Sequence, residues 1–323
     1  MTDAPPAVLT RGLVKRFGDV LAVDGLDLEV RAGELFGLLG PNGAGKTTTI
    51  NLLTGLARPD RGEVSIAELD CMRRPRAAQH LIGVVPDESN LYPELTGFDN
   101  LSFCASLYGI PRSERSARAT KLLSEFGLAE AAGRKFASYS KGMKRKLTIA
   151  AGIIHHPGVL FLDEPTTGID VHSARHIRQL IADLHRSGTT ILLTTHYIEE
   201  AERLCERVAF IVNGRIVRTD AVAALLESVR GRQLLELSVS THPVAAIELL
   251  SRAFGGARFM AVDNGRIRAE SPTPLPVGPL VRALEEQGIE VTEARRVRAT
   301  LEEVFVETTG LEATTLRTEK EKK

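Results

Sequence analysis

The sequence predicts an α/β fold on a parallel sheet, followed by a smaller α+β domain. Three observations predict it. Short apolar runs such as Leu35–Leu39 and Val159–Leu162 are bounded by turn residues, as strands buried on both faces are. A glycine-rich loop, Gly40 to Gly45, joins the first run to a helix-forming stretch. Past about residue 225 the pattern changes to apolar–polar alternation with an Asn264-Gly265 hairpin signal.

Composition narrows the function classes. A chain of 323 residues, 43% of them hydrophobic, can form one large core or two ordinary ones. Lys plus Arg and Asp plus Glu each total 41, a formal net charge of zero. That balance counts against a general polyanion binder, so no nucleic-acid partner is expected. Cys71, Cys104 and Cys205 form no C-x-x-C pair, which predicts neither disulfides nor a zinc site and suits a reducing compartment. His155-His156 and His172-x-x-x-His176 have no third ligand nearby and read as surface or capping histidines. The N-terminus lacks an apolar leader, and no run approaches the roughly 18 apolar residues of a membrane span. The sequence itself therefore predicts neither export nor insertion.

The glycine loop carries the first chemistry. Gly40-Pro41-Asn42-Gly43-Ala44-Gly45-Lys46-Thr47 fits G-x-x-x-x-G-K-[ST], with Thr48 next in the helix. In such a P-loop, backbone N–H groups and a helix N-terminus converge on phosphates. Lys46 would reach the β- and γ-phosphates and the Thr47 hydroxyl would ligate Mg²⁺. A second strand, Val159–Leu162, ends in Asp163 and Glu164. Asp163 suits a Mg²⁺ ligand, and Glu164 can polarise an attacking water as general base. A third strand, in "GTTILLTTHYIEEAERL", ends in His196, which can hydrogen-bond the γ-phosphate or that water.

In this order, the motifs resemble the nucleotide-binding subunits of ABC transporters over roughly residues 8–225. "KRFGDVLAVDGLDLEV" looks like the family's opening hairpin, which implies that Phe17 stacks on adenine. "VVPDESNLYPELTGFDNL" is similar to the Q-loop region, "YSKGMKRK" to the signature, "LFLDEP" to Walker B, and "TTGID" to the D-loop. The resemblance implies a P-loop NTPase fold of ABC type, with a helical subdomain at about 88–158. It implies two ATP molecules held with Mg²⁺ between two subunits, most simply a homodimer. It also implies a separate transmembrane permease that keeps the chain at the cytoplasmic face of the membrane.

Ser140 and Gly142 would face the partner's γ-phosphate, the first through its hydroxyl and the second through its backbone. Lys144–Lys146 then read as mostly solvated charges on a helix start. Four departures stand out. Tyr139 replaces the usual Leu, Lys141 a glycine, and Met143 a Gln. Asp87 stands at the Q-loop position of a glutamine, where it can keep a metal contact and retune hydrolysis, or leave that role to a neighbour. Lys141 either attracts the γ-phosphate or points into solvent.

Residues 226–311 read as a ferredoxin-like α+β domain, and 312–323 as a charged, disordered tail. "TLEEVFVETTG" is similar to an ending common in drug and antibiotic exporter ATPase subunits. Export is therefore the leading expectation. The alternative is a soluble ABC ATPase of translation or DNA repair, but the single domain and the short span from Lys46 to Ser140 fit it poorly. A catalytically silent regulatory subunit is disfavoured by the intact Lys46, Asp163, Glu164 and His196.

Overall fold

The computed structural model describes residues 5–229, 233–240, 243–263, 265–297 and 300–311; the expected charged tail and Asn264 lie outside them. The chain divides into two compact units. One runs to Val222 and resumes at Phe305, and the other spans Ala223–Val304.

The first unit opens with β1 (Val8–Phe17) and β2 (Val20–Val30), an antiparallel hairpin, followed by β3 (Leu35–Leu39) and α1 (Lys46–Leu53). Next come β4 (Arg61–Ile66), β5 (Leu69–Asp70), α2 (Pro75–Leu81) and β6 (Ile82–Val85). The helical stretch holds α3 (Gly97–Leu107), α4 (Arg112–Glu125) and α5 (Lys141–Ile153). Then follow β7 (Val159–Asp163), α6 (Val171–Arg186), β8 (Thr190–Thr195), α7 (Ile198–Leu204), β9 (Arg207–Val212) and β10 (Arg215–Ala221). Helix α8 (Val222–Ser228) crosses into the second unit.

A six-stranded sheet in the order β10-β9-β3-β8-β7-β6 forms the centre, and a four-stranded antiparallel sheet β2-β1-β4-β5 lies in the same unit. The pairings from β9 through β6 are parallel. Every residue of β3, β7 and β8 is buried, which is why these runs carry no alternation. Phe36, Leu38, Phe161 and Leu192 from those strands pack with Val8, Leu28 and Ile50 in one core. Helix α6 shows the complementary pattern: Ala174, Ile177 and Ile181 are its buried stripe, and Asp170 caps its start by accepting from the Ser173 N–H at 2.9 Å.

In the second unit, β11 (Gln233–Val239), α9 (Pro243–Ala253), β12 (Arg258–Asp263), β13 (Arg266–Ser271), α10 (Val277–Glu285) and β14 (Val291–Val297) alternate. Their antiparallel sheet has the order β12-β13-β11-β14. Leu235, Leu237 and Ile267 pack with Ala246, Leu250, Leu280 and Leu284 of the two helices. On the intervening position Glu236 pairs in register with both Arg268 and Arg295, at 2.7 and 2.8 Å. The sequence reading placed helix α11 (Leu301–Thr309) in the C-terminal domain, yet from Phe305 onward it counts with the first unit. Within the first unit, Phe305 is fully buried and meets Phe210 edge-on, centroids 5.1 Å apart.

Phe161 sits mid-strand in β7 with no exposed surface. Phe161→Ala should cost about 3–5 kcal/mol and lower the denaturation midpoint of the first unit. A change below about 1 kcal/mol would mean the strand relaxes around the cavity.

Candidate functional site

Parallel strands lying side by side in the order β3-β8-β7 bring three chain segments to one edge. β3 leads into the glycine loop, β7 ends at Asp163, and β8 stops one residue before His196. Such a carboxyl edge is where open α/β sheets place ligands. A cavity of about 410 Å³ opens there. Of the residues named from sequence, Asn42, Gly43, Gly45, Lys46, Thr47, Thr48, Asp87 and Glu164 line it; Val20, Leu21, Ala22 and Asn213 join them unannounced.

The loop geometry depends on Gly45. Its φ of 104° is left-handed, and a Cβ there would drive into the Ala22 carbonyl oxygen. Ala44 ties the loop to the β9–β10 turn by accepting from the Gly214 N–H at 2.9 Å. Lys46 Nζ donates to the Gly40 and Pro41 carbonyls at 2.8 and 3.1 Å and lies 3.2 Å from Glu164 Oε1. Both side chains of that ion pair are under 10% exposed.

Glu164 is held from every side. Its other oxygen, Oε2, lies 2.8 Å from His196 Nδ1 and accepts from the Thr167 hydroxyl at 3.0 Å. Its main chain is left-handed at φ 49°, fixed by N–H donation to the Thr194 carbonyl and hydroxyl oxygens. Burial pushes the Glu164 carboxyl up, but the His196 hydrogen bond and the Lys46 charge outweigh it, and the net shift is downward. The group is thus a buried, ionised carboxylate.

Asp163 differs. Burial raises its carboxyl; hydrogen bonds from Thr194 and Thr47 oppose this, and the charges of Glu164 and Asp87 add to the rise. A hard cation seated by Thr47 and Asp163 would relieve that crowding of three carboxylates, so this donor set fits one. Among the described residues no three His, Cys, Asp or Glu side chains form a metal cluster. His155 stacks on Tyr108 at 3.6 Å with Nε2 on the Ile82 carbonyl, and burial lowers its pKa to about 4.

The other predicted residues stand elsewhere. Phe17, at the end of β1, is 53% exposed with Lys15 over its ring, and does not line the cavity. Ser140 caps α5 by accepting from the Met143 N–H at 3.2 Å, and Lys141 is exposed beside it. Gly142 is needed within its own chain: Ser173 of α6 occupies the space a Cβ would take. Tyr139 is buried, and its hydroxyl donates to the Ala131 carbonyl at 2.7 Å, a bond the usual Leu could not make.

One expectation is overturned. Arg145, read as a solvated charge, is 6% exposed and reaches the Pro86, Asp87 and Glu164 carbonyls. The helical period shows why: Gly142, Arg145 and Ile149 share the buried face of α5. Extending the apolar stripe back one turn would have found it.

A phosphate-binding loop and Glu164 on one cavity, with Asp163 beside Glu164 in the chain and His196 bonded to it behind the lining, define a P-loop ATPase. A family profile described as ABC transporter matches residues 23–167. The daunorubicin resistance ATP-binding protein DrrA3 of Streptomyces coeruleorubidus is 38% identical, over 95% of this chain and 97% of its own. The Nod factor export ATP-binding protein I of Burkholderia orbicola is 39% identical, over 94% and 96%. A dimeric ATP-binding cassette solved in a post-hydrolysis state with ADP and Pi superposes with TM-score 0.61 at 27% identity, covering 67% of this chain and 98% of that one. The chain belongs to the ABC transporter family, as an ATP-binding, ATP-hydrolysing subunit. The relatives, matched nearly end to end, are named for daunorubicin resistance and for Nod factor export, which leaves the translation and repair alternative without support.

Because the folded Glu164 carboxyl lies below its ordinary 4.5, its ionisation stabilises the fold above that pH and the contribution is lost as pH falls through the folded value. The thermal midpoint of the parent should therefore exceed that of Glu164→Gln at pH 6, with the gap narrowing as pH drops below 4.5. A gap independent of pH would contradict the assignment.

Proposed function

We propose that this chain powers an exporter of drug-like or antibiotic molecules. It works as a homodimer on a separate transmembrane permease at the cytoplasmic face of the membrane. The names of the relatives support export, and the absence of a membrane-spanning helix among the described residues is consistent with a separate permease.

The observation that carries the catalytic reading is the buried Glu164 carboxylate at the cavity, fixed by Lys46 and His196. In this reading the loop from Gly40 to Thr48 binds the ATP phosphates with Lys46 as their cation. Glu164 takes a proton from the attacking water, and His196 orients that carboxylate and the γ-phosphate. Phe17 supplies the adenine platform, and Ser140 and Gly142 meet the nucleotide of the second subunit. Thr47 and Asp163, with Asp87 at the cavity wall, would hold Mg²⁺, which when bound neutralises charge on the phosphates. We read residues 1–225 as the ATPase domain, with a helical subdomain at 88–158, and 226–311 as an accessory domain. The strand order of the second unit supports a ferredoxin-like class for it.

Glu164→Gln should cut ATP turnover about 10²–10⁴-fold while leaving ATP bound. With ATP it should run as a dimer in sedimentation. A variant that stays monomeric, alone and with its membrane partner, would overturn the two-subunit reading.

A further inference from the structure

We infer that Arg145 is a positioning residue for hydrolysis, linking the helix that carries the signature to the base of its own subunit's site. The inference rests on the dimeric ATPase reading above. Its guanidinium donates through Nη1 to the Pro86 carbonyl at 2.6 Å. Through Nη2 it donates to the Asp87 carbonyl at 2.6 Å and to the Glu164 carbonyl at 3.3 Å. The same nitrogen lies 3.5 Å from Asp87 Oδ1.

Three segments distant in sequence thus converge on one planar group: the strand end after β6, the residue after β7, and α5. Lys cannot replace this arrangement. An ammonium is a point charge, whereas the guanidinium fork reaches three carbonyls in fixed directions. Burial lowers the Arg145 pKa, while the charges of Asp87, Asp163 and Glu164 oppose that shift. The aspartate at the Q-loop position has a cation beside it: Asp87, which lines the cavity, pairs with Arg145 behind it.

The placement on α5 matters most. Ser140 caps the helix whose first turn would face the partner's nucleotide, and Arg145 lies just over one turn further along. A rigid helix start that shifts on meeting the second nucleotide would carry Arg145 with it. The Glu164 main chain, left-handed and bonded to Arg145, would move in step. Arg145 so couples occupancy of one ATP site to the set of the base in the other.

The test uses the full-length protein with Arg145→Gln, Arg145→Lys and the parent, each assayed well below its own melting temperature. ATP affinity, kcat and the Hill coefficient for ATP are measured. We expect both variants to bind ATP as the parent does. Misplacing a catalytic group by about 1 Å can cost ~10²-fold, so kcat should fall by a comparable factor and the Hill coefficient should approach one. Arg145→Lys keeps the charge and serves as the folding control, and it should restore stability but not turnover. Parent-like kcat and cooperativity in Arg145→Gln, or full rescue by Lys, would overturn the inference. So would a loss of kcat that tracks loss of stability and of ATP binding together. A parent that neither binds nor hydrolyses ATP would instead refute the ATPase reading itself.

Discussion

One buried negative charge, the Glu164 carboxylate, sets the terms for this site. Leaving a carboxylate out of water is costly unless cations and donors replace its hydration. Lys46, His196 and Thr167 do so at 3.2, 2.8 and 3.0 Å. Thr167 is local, three residues on in the same loop, whereas the strand order β3-β8-β7 brings Lys46 and His196 to Glu164. Removing any partner would leave charge buried and underpaired, which is worse than never having buried it.

The same device occurs in the second unit without the chemistry. Glu236 is a buried carboxylate as well: burial raises it, and the Arg268 and Arg295 hydrogen bonds and charges bring it down. Those arginines lie directly across the antiparallel ladder, so the pairing follows from register. At Glu164 the partners are instead a lysine on a phosphate-type loop and a histidine, and the carboxylate they hold lines a cavity. Electrostatic satisfaction alone does not make a site; access and proton-transfer partners do.

How much of this was legible in sequence follows from how local each signal is. The loop from Gly40 to Thr48 is contiguous, and Asp163, Glu164 and His196 each end an apolar run that announces its own strand. Arg145 was hidden because its neighbours Lys144 and Lys146 are charged and only half-buried, and a charge run suggests solvent. What buries it is contact with residues 86 and 164, which no local pattern encodes. Gly142 was legible as a glycine that must stay small, but not the reason the fold supplies, which is Ser173 of α6. The Phe210–Phe305 ring contact likewise joins residues nearly a hundred positions apart and has no local signature.

The His196 hydrogen bond and the Lys46 charge hold the Glu164 carboxyl below its ordinary range. If that carboxylate is the general base, the acid limb of the kcat–pH profile reports it, compared between the parent and His196→Ala. The hydrogen bond to His196 is the leading contribution that lowers the Glu164 carboxyl, so its loss should move the acid limb to higher pH. Residual activity, however small, suffices to read that position. An acid limb at the same pH in both proteins would mean that His196 does not hold the Glu164 carboxyl down.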